Sequence, residues 1–72
     1  MIEERRFKVT YGDPSSLENI TVTGDGIAVE PVDGSGTRRL TAWTEGDDGE
    51  TQNKFEMTVG PDHVIGWKEW EP

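Results

Sequence analysis

The chain has no cysteine, so neither a disulfide framework nor a thiolate metal site can staple it. It is poor in cations. Three lysines and four arginines stand against fifteen carboxylates, leaving a formal charge of −8 over 72 residues. That excess disfavours approach to a nucleic-acid backbone or an anionic membrane surface and favours basic partners or a saline environment. Apolar residues are also scarce, at 31%, with charged residues equally common. No stretch approaches the length of a membrane-spanning helix, and Met1–Arg6 lacks the apolar centre of a signal peptide. A cytoplasmic location is the default expectation, or a virion if the gene is viral. The single histidine, His63, leaves little for acid–base chemistry.

What the chain does have is alternation. A single domain over residues 1–72 is expected, with a thin stability margin because so short a chain buries a modest fraction of its surface. Three Trp, two Phe and one Tyr, mostly in period-2 runs, favour a folded sheet over disorder. The poverty in lysine beside abundant Asp, Glu, Thr and Gly is like the surface composition of salt-adapted proteins.

The best-marked unit runs from Gln52 to Trp70. Residues 53–59 alternate, Gly60-Pro61-Asp62 supplies turn chemistry, and residues 63–70 return. A three-residue loop sets Phe55 opposite Trp67, Met57 opposite Ile65 and Val59 opposite His63, so that the apolar faces coincide. Upstream, residues 3–11 read as a strand with Phe7, Val9 and Tyr11 on one face. Gly12–Ser16 is a turn cluster, and Ser15 or Ser16 with Leu17-Glu18 is a candidate for one helical turn. Asn19–Thr23 points Ile20 and Val22 inward, and Gly24-Asp25-Gly26 reads as a tight turn. Residues 27–30 follow, with Pro31 marking an edge or bulge. In residues 37–44 Leu40 and Ala42 share one face, Trp43 the other. The expected fold is all-β: one antiparallel meander of five to six short strands closing into an SH3-like barrel, or else a minimal two-sheet sandwich.

Few residues carry a chemical signal. The acidic run Glu45–Glu50 lacks the spacing of a calcium loop and reads as a solvated turn. Asn19-Ile20-Thr21 matches a glycosylation pattern by chance. His63 beside Asp62 reads as a turn residue, and no enzyme activity, cofactor or metal is expected. If their strands pair, Arg6, Lys8, Arg39 and Lys54 line one outer face, which with Trp43 would resemble a nucleic-acid-binding surface. Cross-strand pairs of the arginines with Glu4, Glu30 or Glu56 are the favoured reading.

Trp43 and Trp70 each fall opposite their strand's main apolar set, and Trp is enriched at interaction hot spots. The expectation is therefore a protein-interaction module with Trp43, Trp70 and Arg39 in its binding patch. Carboxylates around that patch would steer a basic partner. Strand addition or homodimerisation would use an exposed edge, with the N-terminal strand and the Pro31 strand as candidates. The alternatives are an acidic mimic of nucleic acid that inhibits a DNA-binding protein, or a small nucleic-acid-binding barrel.

Overall fold

The computed structural model describes residues 5–70. Its six strands are β1 (Arg5–Asp13), β2 (Ser16–Gly24), β3 (Gly26–Pro31), β4 (Arg38–Glu45), β5 (Thr51–Val59) and β6 (Val64–Glu69). All described pairings are antiparallel, and they form two three-stranded sheets, ordered β2-β1-β6 and β3-β4-β5. The all-β expectation holds, but no closed barrel is found: no ladder joins β2 to β3 or β5 to β6. No helix is present among the described residues, so none is long and apolar enough to cross a membrane.

The hairpin expected from Gln52 to Trp70 does not form. The turn is there, with the His63 amide donating to the Gly60 carbonyl at 3.1 Å, but its two strands part company. Phe55 pairs with Ala42 and Met57 with Leu40, whereas Trp67 pairs with Val9 and Ile65 with Tyr11. The reason lies in the core. Phe7, Val9 and Leu40 are wholly buried, and enclosing them requires a strand on both sides of β1 and of β4. β6 supplies that flank in one sheet and β5 in the other, so the turn between them carries the chain from sheet to sheet. Each such large side chain contributes about 1.5–3 kcal/mol through burial.

The core joins Phe7, Val9, Val22 and Ile65 of one sheet to Ile27, Leu40 and Ala42 of the other. β4 packs against both β2 and β6. Trp67, expected in the core, faces inward at the border of the sheet and stays 43% exposed, meeting Phe7 edge-on at 5.5 Å. The N-terminal strand is not an edge but the centre of its sheet, while β3 is an edge as expected.

Local chemistry explains the connections. Ser16–Glu18 belongs to β2, not to a helical turn, because Asp13 pairs with Ser16 and only Pro14-Ser15 turns the chain. The Asp13 carboxylate accepts from the Ser15 amide and hydroxyl, a side-chain turn that preorganises the hairpin. Asp33 does the same for Ser35 in the β3–β4 loop, where Gly34 and Gly36 take the positive φ that favours glycine. Gly24-Asp25-Gly26 is not a turn: one residue separates β2 from β3, and neither glycine has positive φ. The chain bends there from one sheet to the other.

Candidate surface sites

Side chains alternate along a strand, so register assigns every residue to a face. On β1 the outward row is Arg6, Lys8 and Thr10. The facing row of β6 is Val64, Gly66 and Lys68, with Lys8 directly opposite Lys68. The Trp70 amide donates to the Arg6 carbonyl at 2.9 Å, which extends this ladder by one residue and puts Trp70 in the same row. On β2 the outward residues are Leu17, Asn19, Thr21 and Thr23. None of these described outward positions is a carboxylate, on a chain that has fifteen.

Trp70 is 45% exposed, and the Lys8 ammonium lies 5.8 Å from the centre of its ring, a cation–π contact. A depression of about 320 Å³ opens here, lined by Lys8, Lys68, Glu69 and Trp70. Gly66 keeps the neighbouring floor low, since a β-carbon there would meet nothing within 4 Å. Glu69 belongs to the inward row and is engaged elsewhere. Its carboxylate receives Arg5 Nε at 2.9 Å and Nη2 at 2.8 Å, while Arg5 Nη1 donates to the Asp25 carbonyl. The hydrogen bond from Arg5 and its positive charge hold the Glu69 carboxyl below its ordinary range. This pair clamps the end of β6 to the corner between the two sheets.

A second concavity, of about 260 Å³, lies on the outward face of the β3-β4-β5 sheet and includes Glu30, Arg39, Trp43, Asn53 and Glu56. Arg39 stands opposite Glu30 in the ladder, and its Nε lies 3.4 Å from Glu56 Oε1 without the alignment of a hydrogen bond. Its charge is therefore answered within the fold, as the cross-strand reading expects. The partnership expected with Glu4 falls outside the described residues.

The expected patch of Trp43, Trp70 and Arg39 is thus divided. Trp43 and Arg39 lie on one sheet and Trp70 on the outward face of the other, with no lining residue in common between the two depressions. Trp43 is half-buried because its indole covers Gly26, which is a structural role. The expected row of Arg6, Lys8, Arg39 and Lys54 is divided as well, since Arg39 points from the other sheet. Lys54 is the extra residue of a bulge facing Ala42 and Trp43, and it reaches across to Thr23 Oγ1 at 3.1 Å, at the end of the outward row of β2. Arg6, Lys8, Lys68 and Lys54 therefore gather around one face whose described outward positions hold no carboxylate, although Glu69 of the inward row also lines its depression. Lys68 was the member that sequence reasoning missed, because β1 and β6 come from opposite ends of the chain.

Several loop carboxylates are engaged by backbone amides. Asp13 and Asp33 cap their own turns, Asp25 accepts from the Glu45 amide at 2.7 Å, and Asp48 accepts from the Glu50 amide at 3.0 Å. His63 is an exposed turn residue whose carbonyl accepts from Arg38. Compared with known proteins, the chain matches no family model, no curated protein and no solved structure.

Proposed function

We propose that this protein is a non-enzymatic interaction module that holds an acidic segment of another protein on the outward face of β2-β1-β6. The observation that carries this reading is the composition of that face: Arg6, Lys8, Lys68 and an exposed Trp70, with no carboxylate at its described outward positions, on a chain of charge −8. Lys8 opposite Lys68 is a like-charge cross-strand pair, an arrangement that opposes folding. A carboxylate lodged between the two ammonium groups relieves that repulsion, and Trp70 offers the aromatic anchor typical of binding hot spots. Carboxylates elsewhere on the chain repel an acidic partner from other approaches, which orients it. This reverses the partner charge expected from net composition, because the charges segregate by face.

The same elements hold single-stranded nucleic acid in other proteins, but a polyphosphate meets the full −8 of the chain whereas a short acidic segment meets only the face. Titration of the labelled protein with a peptide alternating Glu and Leu, and separately with oligo-dT, tests the reading by NMR. The expected result is peptide-induced shifts confined to Arg6, Lys8, Lys68 and Trp70. Binding should fall at least tenfold in Lys8→Glu/Lys68→Glu and persist in Arg39→Glu. Tighter binding of oligo-dT, or peptide shifts centred on Trp43, would overturn it.

A further inference from the structure

Two three-stranded sheets leave four open edges among the described strands, and three of them are blunted. β3 has six residues and ends in Pro31, which has no amide proton to give. β5 is bent by the bulge at Lys54. β6 has six residues and carries Lys68 and Glu69. Short length, proline, bulges and charge are the devices by which natural sheets discourage edge-to-edge pairing. β2 has none of them in its own sequence beyond the single charge of Glu18, and the Lys54 ammonium meets it at Thr23, one residue from its end. It runs nine residues from Ser16 to Gly24, matches β1 at every position without a register shift, and contains no lysine, arginine or proline. Its centre, Asn19-Ile20-Thr21-Val22-Thr23, is largely β-branched, and its outer flank is exposed at Leu17, Glu18, Asn19 and Thr21.

We infer that β2 is a self-recognition edge, to which a second copy of this chain adds its own β2 in antiparallel orientation. The occupant is argued from the strand's self-complementarity. Antiparallel pairing centred on Ile20 is the register that uses all nine residues. It places Ile20 against Ile20 of the second copy, Asn19 against Thr21, and Glu18 against Val22, so the one charged residue does not face itself. Ile20, only half-buried in the single chain, is covered by its own counterpart. The pairing is isologous and closes as a two-fold dimer, so it does not propagate into fibres. It merges two sheets into one of order β6-β1-β2-β2-β1-β6, with both cationic faces on the same side. This inference is independent of what the cationic face binds.

Sedimentation equilibrium over a concentration series in molar KCl, which screens the repulsion between two acidic chains, tests it. The expected mass is twice the 8.0 kDa of the chain. Asn19→Lys/Thr21→Lys sets lysines opposite each other across the dimer and should sediment as a monomer with an unchanged circular-dichroism spectrum. Isotope-filtered NOE spectra of mixed labelled and unlabelled wild-type protein supply a readout that does not depend on the variant folding. Contacts between Asn19 and Thr21, and between Ile20 residues, are expected across the two chains. A wild-type monomer throughout, a folded variant that stays dimeric, or cross-chain contacts on β3, β5 or β6 would overturn the inference.

Discussion

The indole of Trp43 lies so close over Gly26 that a β-carbon on that glycine would sit 2.4 Å from Trp43 Cζ2. The neighbouring Gly24 is as crowded, its β-carbon position being 2.7 Å from the Trp43 carbonyl oxygen. The bend between β2 and β3 therefore uses glycine for room rather than for an unusual φ. Gly26→Ala should destabilise the fold by about 1–3 kcal/mol, the usual cost of overpacking. Combined with Trp43→Ala, which removes the obstruction, the loss from the glycine substitution should largely vanish. A double-mutant cycle in urea measures this, and additive losses would show that the contact is not the cause.

Phe7 and Trp67 meet edge-on, yet they should differ widely in energetic weight. Phe7 is fully buried, so Phe7→Ala leaves a cavity and should cost about 3–5 kcal/mol. Trp67 is 43% exposed at the border of its sheet, so Trp67→Ala should cost clearly less despite the larger side chain. Chemical denaturation of both variants checks the order. A reversed order would restore Trp67 to the core.

That contrast shows what alternation in a sequence can and cannot reveal. Six strands were legible, and so were the inward residues of β1 through β4, because a period of two assigns faces without reference to a partner. Partners were not legible. The faces of Phe55 and Trp67 suit each other as a hairpin, but they suit Ala42 and Val9 equally well, and a period of two does not decide between them. The cationic face was legible only in part for the same reason. Arg6 and Lys8 share a row on β1, but Lys68 joins them from β6, so no local pattern announces it, and Arg39 belongs to the other sheet.

Three carboxyl groups should set the acid limit of stability. Asp13 and Asp33 are held below the ordinary value of 3.8 by hydrogen bonds from Ser15 and Ser35, and Glu69 below 4.5 by Arg5. A depressed folded value means the unfolded chain binds protons first as pH falls. The stability they contribute is therefore complete above the unfolded values and is lost as pH drops through the folded ones. Melting temperature should decline below about pH 5 in molar KCl, where screening removes the opposing relief of charge repulsion. Asp13→Asn/Asp33→Asn/Glu69→Gln should flatten that decline, and an unchanged slope would assign the acid limit to other groups.

Salt should raise the stability of the wild-type fold. Fifteen carboxylates in so small a volume repel one another, and the Debye length shrinks from about 10 Å at 0.1 M to about 3 Å at 1 M. The melting temperature, followed by circular dichroism and tryptophan fluorescence, should climb with KCl most steeply at the low end. A flat profile would mean that the acidity needs no saline solvent and that attractive pairs such as Arg5–Glu69 already balance the repulsion.

Lys68→Glu separates stability from binding. In the wild-type ladder Lys8 faces Lys68, and like charges directly opposite one another destabilise a sheet. Replacing one by glutamate turns repulsion into attraction, so the variant should be more stable by about 0.2–1 kcal/mol. The same substitution puts a carboxylate into the cationic face, between Lys8 and Trp70, and should abolish capture of an acidic peptide. Denaturation and peptide titration of one purified variant measure both effects. A gain in stability with a loss of binding identifies the lysine pair as retained for its partner at the expense of the fold. A loss of stability would mean that Lys68 already has a favourable place in the sheet, and the argument from its opposition to Lys8 would fall.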